Sequence, residues 1–149
     1  MHFLPDTSAL TKHYILEPRA AEVSSLLADA GNSFTVSQLL RTEFASVLGR
    51  RLREGRLSQQ ELSDVWALFL AHQGRRYRVA PLSLAIQAIA ERLLFTYTLR
   101  AADAIHIASA IEVAAVARAT HGEFAFLTAD RRQSTVAAFE GLTVVYLGD

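Results

Sequence analysis

One apolar stretch constrains the fold of this chain more than any other. Between Arg100 and Thr120 the sequence reads RAADAIHIASAIEVAAVARAT, which places alanine, isoleucine and valine in nearly every direction around a helix. A helix that is hydrophobic on all sides is typical of the interior of a domain. We therefore predict a central, buried helix that runs from about Arg100 to about Thr120.

Polar side chains interrupt this stretch and argue against a membrane span. Asp103, His106 and Glu112 lie within it, and such groups are costly in the hydrocarbon core of a bilayer. Asp103 falls in the first turn, where free backbone N–H groups also favour an acid for purely structural reasons. His106 lies one turn later on the same side. We interpret it as a core histidine.

Strand-like segments alternate with helical segments along the rest of the chain. This alternation predicts right-handed crossovers and an α/β domain, with a mostly parallel central sheet of about five short strands and helices on both faces. No repeat or linker divides residues 1–149, so we predict one domain. The predicted strands are 2–5, 34–36, 76–79, 124–128 and 142–147, and the other helices are 9–16, 19–30, 37–54, 58–74, 83–97 and 131–139.

The composition excludes several kinds of site. The 149 residues contain no cysteine, which excludes disulfides, thiolate metal sites and thiol nucleophiles. The first residues resemble no signal peptide, so we expect a cytoplasmic protein that does not associate with membranes. Fifteen basic residues balance 15 acidic ones, which gives no global attraction to nucleic acid. The hydrophobic content of 51% indicates either a covered interface or a well-filled core.

Acidic residues lie where the predicted fold brings them to one edge of the sheet. Asp6 follows the first strand and Asp130 the fourth, and ligands of parallel sheets bind beyond the carboxyl ends of the strands. Glu43 lies within the apolar face of its helix, where an unpaired carboxylate is costly. Each acid also has a structural explanation, because the two aspartates suit helix caps and Glu43 suits a salt bridge to Arg41 or Arg50.

A divalent cation is the simplest reason for these acids to meet. Brought together with Asp103 and left unpaired, the carboxylates would repel one another and raise one another's pKa values. A bound cation removes that conflict. Oxygen ligands, with neither cysteine nor a histidine pair at metal spacing, favour Mg²⁺ or Mn²⁺ over zinc.

Four motifs in order resemble those of the PIN-domain ribonucleases and, within that family, the VapC-like toxins of toxin–antitoxin pairs. They are Asp6-Thr7-Ser8-Ala9-Leu10, Glu43 on a later helix, Arg100-Ala-Ala-Asp103-Ala-Ile-His106, and Leu127-Thr128-Ala129-Asp130. The resemblance implies a three-layer α/β/α domain that binds Mg²⁺ or Mn²⁺ and hydrolyses RNA. It implies catalytic roles for Asp6, Glu43, Asp103 and Asp130, metal ligation by Asp6, Asp103 and Asp130, and supporting hydroxyl groups on Ser8 and Thr128.

Two features depart from the family pattern. Pro5 stands directly before Asp6, where a strand hydrophobe is usual, and a proline has no N–H for a sheet. We therefore expect the end of the first strand to be irregular. After the last motif, Arg131-Arg132-Gln133 lacks the further acid that some relatives carry, so the number of metal ions stays open.

Arginine supplies most of the basic residues and suits bidentate contacts with phosphate. The arginines cluster at 50–56, 75–78 and 131–132. The first cluster equally suits the end of a helix. Arg131 and Arg132 are the predicted RNA-binding residues, because they follow an active-site acid directly. Tyr77 is either a base-stacking residue or a half-buried one. No motif identifies the RNA target.

From these features we predict a metal-dependent endoribonuclease that uses an activated water molecule. One alternative is a catalytically silent PIN-like module that binds RNA or protein. The other is a phosphatase with Asp6 as nucleophile, a class that needs a second acid where this chain has Ser8.

Two apolar segments, 14–16 and 66–70, predict a groove that accepts an amphipathic helix from a partner. The alternative is a hairpin that packs only on its own core. The resemblance implies that the partner is a cognate antitoxin with an arginine that reaches Asp6 and Asp103. It also implies a homodimer.

Overall fold

Five parallel strands form the centre of the structure. A computed structural model describes residues 1–120 and 122–149. The strands are β1 (His2–Pro5), β2 (Ser33–Ser37), β3 (Tyr77–Ala80), β4 (Phe124–Thr128) and β5 (Val144–Tyr146). They pair in the order β3-β2-β1-β4-β5, and every pairing is parallel.

Helices cover both faces of this sheet. They are α1 (Thr7–Tyr14), α2 (Ala20–Ala28), α3 (Leu40–Arg53), α4 (Gln59–Gln73), α5 (Leu84–Thr96), α6 (Ala101–Ala119) and α7 (Arg131–Phe139). Because side chains alternate along a strand, Phe3 faces one side of the sheet and Leu4 the other. One core contains Phe3 and helices α1–α4, and the second contains Leu4 and helices α5–α7. The predicted three-layer α/β/α fold with a parallel sheet is confirmed.

Pro5 shortens the pairing of β1 on one side only. The backbone N–H of Asp6 donates to Leu127 of β4 at 2.9 Å, so the neighbouring nitrogen of Pro5 faces β2. Pairing with β4 continues through Pro5, whereas pairing with β2 stops at Phe3. The missing N–H therefore interrupts the β2 side and leaves the β4 side regular.

Two helix predictions were wrong in their details. Ser37 does not cap α3, because it still belongs to β2 and its hydroxyl accepts from the backbone N–H of Leu39. The central helix α6 is buried over its first half only, and Val116 near its end is 64% exposed. The reason is length: α6 has 19 residues, or about 28 Å, whereas β4 has five residues, or about 17 Å. Within the described residues, no helix is long and apolar enough to cross a membrane.

The predicted apolar hairpin exists as α3 and α4, and it hides only part of its surface. Phe69 is fully buried and packs on Phe44 and Trp66, with ring centroids 4.9 and 5.5 Å away. Trp66 remains half-buried. Leu68 is 48% exposed and Leu16, just after α1, is 83% exposed.

Phe69 should carry far more of the folding free energy than its neighbour Leu68. Truncation of a buried phenylalanine leaves a cavity, so we expect Phe69→Ala to lower the free energy of unfolding by about 3–5 kcal/mol. The control Leu68→Ala, at a half-exposed position of the same helix, should cost less than about 1 kcal/mol. Urea denaturation of both variants measures the difference. Equal losses would contradict the assigned packing.

Candidate active site

Asp6 is the most deeply buried of the predicted acids. It caps α1, and its Oδ1 accepts from the backbone N–H of Ala9 at 2.8 Å. The hydroxyl of Ser8 donates to both carboxylate oxygens, and Thr128 donates to Oδ2 at 2.7 Å. Burial raises the pKa of Asp6, and the charge of His106 together with these hydrogen bonds opposes that rise in part.

Ser8 and Thr128 also fix the loop that carries Asp130. The backbone N–H of Ala129 donates to Ser8 at 2.9 Å, and that of Asp130 donates to Thr128 at 3.0 Å. Each hydroxyl therefore joins the carboxylate of Asp6 to the loop between β4 and α7. The two residues predicted as supporting hydroxyls have this structural link in common.

Glu43 meets His106 at the edge of the sheet. Glu43 belongs to α3 and His106 to α6, and Nε2 of the histidine contacts Oε2 of the glutamate. Thr7 also donates to Oε2, at 2.6 Å. Burial alone raises the pKa of Glu43, but His106, Thr7 and the charge of Arg100 together hold it below its ordinary value. An ionised Glu43 accepts only, so Nε2 of His106 is the donor.

The contact between Glu43 and His106 changes the interpretation of both residues that the sequence suggested. Glu43 pairs with His106 rather than with Arg41 or Arg50. His106 is 1% exposed, as a core histidine should be, but it does more than pack, because it binds an acid at the edge of a cavity.

Asp103 is buried and held by two neighbours. Arg100, which precedes α6, donates from Nε to Oδ2 at 3.0 Å and from Nη2 to Oδ1 at 3.3 Å. Gln133 of α7 donates to Oδ1 at 3.1 Å. Asp103 raises the pKa of Arg100, and the charges of Asp130 and Glu43 add to the effect. Arg100 therefore serves as a counter-ion to three of the acids.

Asp130 caps α7 and keeps one oxygen free. Its Oδ1 accepts from the backbone N–H groups of Arg132 and Gln133 at 2.8 and 3.0 Å. Within residues 1–120 and 122–149, its Oδ2 accepts no hydrogen bond. The cap expected from the sequence is therefore present, and it leaves part of the carboxylate available.

These side chains meet in a cavity of about 480 Å³ beyond the carboxyl ends of β1 and β4. Glu43, Asp103 and Asp130 line it, whereas Asp6 lies behind it and is 0% exposed. Three buried polar atoms on its lining residues have no hydrogen-bond partner among the described residues: Oγ1 of Thr11, Nδ1 of His106 and Oε1 of Gln133.

The donor chemistry fits a hard divalent cation. Asp130 and Gln133, each with an oxygen that accepts no hydrogen bond from the described residues, line the same cavity as Glu43 and Asp103, and oxygen ligands suit Mg²⁺ or Mn²⁺. The distances between these side chains fit an ion less well than their chemistry does. Among the described residues, no group of three or more acidic or histidine side chains is close enough to hold an ion. Arg100 pairs with Asp103 and His106 with Glu43, and metal ligation by Asp6, Asp103 and Asp130 stays a prediction.

The basic residues divide between the site and the rest of the surface. Arg50, Arg51 and Lys12 line the acid-bearing cavity, and Arg51 pairs with Glu17 there. The cluster at 75–78 lies outside that lining. Tyr77 is 6% exposed and hydrogen-bonds to Tyr14, so the base-stacking alternative for Tyr77 was wrong.

Arg131 and Arg132, the predicted RNA-binding pair, have different surroundings. The guanidinium of Arg131 lies 5.5 Å from the ring centroid of Tyr146 and donates to the carbonyl of Asp149. Arg132 is exposed, and its side chain makes no hydrogen bond or ion pair with the described residues. Its role, like that of Arg131, stays a prediction.

Sequence reasoning missed several residues of the cavity. Thr7 stood inside a recognised motif, and its contact with Glu43 had no signal in the sequence. The sequence did contain a signal for Arg100, because an arginine and an acid three residues apart on a helix commonly form an ion pair. Gln133, shortly after the last motif, donates to Asp103, a contact that had no signal in the sequence.

The fold and the acid-lined cavity define a class: α/β domains whose site lies beyond the carboxyl ends of a parallel sheet. The family follows from comparison of the sequence with family models. The model of the PIN domain matches residues 3–139, so the chain belongs to the PIN-domain family. The comparison with curated proteins gives no match.

Solved structures share this fold at low sequence identity. One is VapC20 from Mycobacterium tuberculosis, described as a sarcin–ricin loop cleaving toxin, at 17% identity and a TM-score of 0.65, with 97% of this chain and 99% of that chain covered. Another is VapBC2 from Rickettsia felis bound to a promoter DNA fragment, at 12% identity and a TM-score of 0.60, with 99% of both chains covered. A third is a toxin–antitoxin complex from Klebsiella pneumoniae, at 19% identity and a TM-score of 0.52, with 95% of this chain and 94% of that chain covered.

Asp6→Asn should stabilise the metal-free protein at neutral pH. Because burial raises the pKa of Asp6, the contribution of this residue to stability is largest below the ordinary pKa of an aspartate and is lost as pH rises through the raised value. Asparagine keeps an acceptor for Ala9 and does not titrate. We expect a gain on the order of 1 kcal/mol at pH 7, or about 3 °C in Tm, which shrinks towards pH 4.

Thermal denaturation in EDTA at both pH values measures this difference. Asp64→Asn is the control, because Asp64 is exposed on α4 and far less affected by burial. A variant that is less stable than the wild type at both pH values would contradict the assigned burial cost.

Proposed function

We propose that the chain is a divalent-metal-dependent endoribonuclease and the toxin of a toxin–antitoxin pair. The observation that carries the proposal is the cavity lined by Glu43, Asp103 and Asp130 in a chain of the PIN-domain family, which is a family of nucleases. Basic side chains at the rim suit a phosphate backbone. The similarity to VapC20 supports RNA as the substrate.

The residues of the chain have distinct tasks in this proposal. Asp103 and Asp130, with Glu43 beside them, hold Mg²⁺ or Mn²⁺. When bound, such an ion activates water and offsets the negative charge of a phosphate. Asp6 stays behind the cavity and fixes the loop of Asp130 through Ser8 and Thr128. A direct metal contact by Asp6 remains a prediction from the family resemblance.

Proton transfer falls to the pair of Glu43 and His106. The lowered pKa of Glu43 keeps it ionised at neutral pH, so it accepts a proton from water that enters the cavity. His106 and Thr7 fix Oε2 of that carboxylate, which leaves Oε1 for the water. Arg100 is 75% exposed at the rim, where it is free to turn from Asp103 to a substrate phosphate.

The alternatives differ in how well the geometry supports them. A phosphatase mechanism needs an exposed nucleophile, and Asp6 is fully buried with both oxygens hydrogen-bonded. A silent PIN-like binding module has one observation in its favour, namely that no three acidic or histidine groups in the described residues are close enough for an ion. Measurement of RNA cleavage separates it from the nuclease.

Asp103→Asn and Glu43→Gln should abolish RNA cleavage and leave folding intact. We expect each variant to lose at least about 100-fold in kcat/KM. Because the acids act as one unit, the loss of one should cost nearly as much activity as the loss of both. The assay follows single-stranded RNA with Mg²⁺ or Mn²⁺, then with EDTA, which should stop cleavage.

The control for this assay is Asp64→Asn, a matched loss of charge on the exposed face of α4. It should cleave at the rate of the wild type. Cleavage that survives EDTA or either active-site substitution would refute the assigned site. A wild type that binds RNA with Mg²⁺ present but never cuts it would support the silent module.

A homodimer and an antitoxin partner complete the proposal. The structures of VapBC2 and of the toxin–antitoxin complex support a protein partner. Leu16 after α1 and Leu68 on α4 are exposed and Trp66 is half-buried, so these apolar side chains are open to an amphipathic helix.

We expect the isolated chain to have the mass of a dimer in light scattering. We also expect it to bind the protein encoded next to its own gene, with an affinity at least about tenfold weaker for Leu16→Asp. The control Leu84→Asp changes an equally exposed leucine on α5. A monomer whose binding is insensitive to Leu16→Asp would contradict the assigned surface.

A further inference from the structure

A second groove adjoins the acid-bearing cavity and shares three of its residues. It measures about 890 Å³ and lies between α7 and the segment that joins α5 to α6. Arg100, Asp103 and Asp130 line both spaces. The second groove therefore adjoins the first cavity at Arg100, Asp103 and Asp130.

One face of α7 forms the floor of this groove. Arg132, Thr135, Val136 and Phe139 are spaced at i, i+3, i+4 and i+7, and all four line it. The helix has nine residues, so its far end lies about 13 Å from Asp130. The face therefore leads directly away from the acids.

Phe139 at the far end is an aromatic ring without cover. It is 75% exposed, and unlike the still more exposed Phe95 it lines a groove that also contains Asp103 and Asp130. Arg132 at the near end has a guanidinium that makes no hydrogen bond or ion pair with any described residue, in contrast to Arg131. The groove therefore contains a guanidinium without a partner among the described residues, next to Asp130, and an exposed aromatic ring farther along α7.

The acid next to Phe139 is paired with a neighbouring cation. Glu140 follows Phe139 directly, and Arg92 donates to its two oxygens at 3.1 and 2.6 Å. Tyr97, which lines the groove, donates to the same carboxylate at 2.9 Å. Arg92 holds the pKa of Glu140 low, and the pairing offsets its charge.

We propose that this groove is a subsite for a nucleotide of single-stranded RNA beside the cleaved bond, in which Phe139 stacks on the base and Arg132 binds the phosphate. The inference rests on the proposed RNA-cleaving function of the same acids. Aromatic stacking together with arginine contacts is how proteins bind single strands. An amphipathic peptide helix needs a continuous apolar surface, whereas three arginines and two aspartates share the lining of this groove with Val136 and Phe139.

The test couples Phe139 to one base of the substrate. The probe is a single-stranded 12-nucleotide RNA that the full chain cleaves with Mg²⁺, together with versions that carry one abasic ribonucleotide at each position in turn. For the wild type, one abasic position next to the cut should lower kcat/KM about tenfold. Phe139→Ala should cause a similar loss on the intact RNA, through KM, and no further loss at that abasic position.

Matched variants show whether the effect belongs to the ring. Phe139→Tyr keeps an aromatic face and should cleave within about twofold of the wild type. Phe95→Ala removes a phenylalanine that is 90% exposed on α5 and lines none of the grooves described here; it should also match the wild type. Loss of activity in Phe139→Tyr equal to that in Phe139→Ala would overturn the stacking role.

Salt dependence tests the phosphate contact. Fluorescence anisotropy with the same RNA in EDTA should give a plot of log affinity against log salt whose slope is smaller by about 0.7 in Arg132→Gln. Arg75→Gln, at an exposed position outside the groove, should leave the slope unchanged.

The outcomes separate this inference from the proposed function. Cleavage by a wild type whose Phe139→Ala variant behaves like Phe95→Ala overturns the subsite and leaves the nuclease intact. A wild type that neither cleaves nor binds the RNA overturns both. Binding without cleavage, if weakened by Phe139→Ala, overturns the nuclease and retains the subsite.

Discussion

The buried carboxylate of Asp6 is the constraint on which the active-site edge depends. Taking a carboxylate out of water costs several kcal/mol unless hydrogen bonds satisfy it. Here Ala9 of α1, Ser8 and Thr128 satisfy both oxygens. The two hydroxyls accept in turn from the loop after β4. One buried charge therefore fixes the start of α1 and the loop of Asp130 relative to each other, and the rest of the cavity is built on that loop.

The same edge joins the two helical layers of the domain. Glu43 belongs to α3 on one face of the sheet and His106 to α6 on the other face. The two side chains meet beyond the ends of the strands. Pro5 contributes to the opening between them, because pairing of β1 with β2 stops before the strand ends. Short strands make this arrangement possible, since helices longer than the sheet meet beyond it. The partial exposure of α6 at its other end follows from the same mismatch in length.

The sequence was sufficient for the architecture and for the edge of the sheet at which the acids lie. Strand and helix periodicities are local, and the rule for parallel sheets then places Asp6 and Asp130 at one edge. Side-chain partners were not predictable. Whether Glu43 meets His106 or an arginine of its own helix depends on how α3 and α6 approach each other, which no local pattern encodes. The free face of α7 was missed for a similar reason, because the exposure of Phe139 depends on what packs beside it.

The charges in the cavity explain why four acids at one edge do not require an ion for folding. Arg100 offsets Asp103, His106 offsets Glu43, and hydrogen bonds together with the charge of His106 stabilise Asp6. Asp130 and Glu43 each keep one oxygen without a hydrogen bond from the described residues, Oδ2 and Oε1 respectively. A cation that enters must therefore compete with Arg100, which is exposed and ends in a flexible side chain. In the proposed nuclease an incoming phosphate would favour that exchange, since it would give Arg100 a new anionic partner and add oxygen ligands to the ion. The proposal therefore implies that substrate and metal bind more tightly together than either does alone.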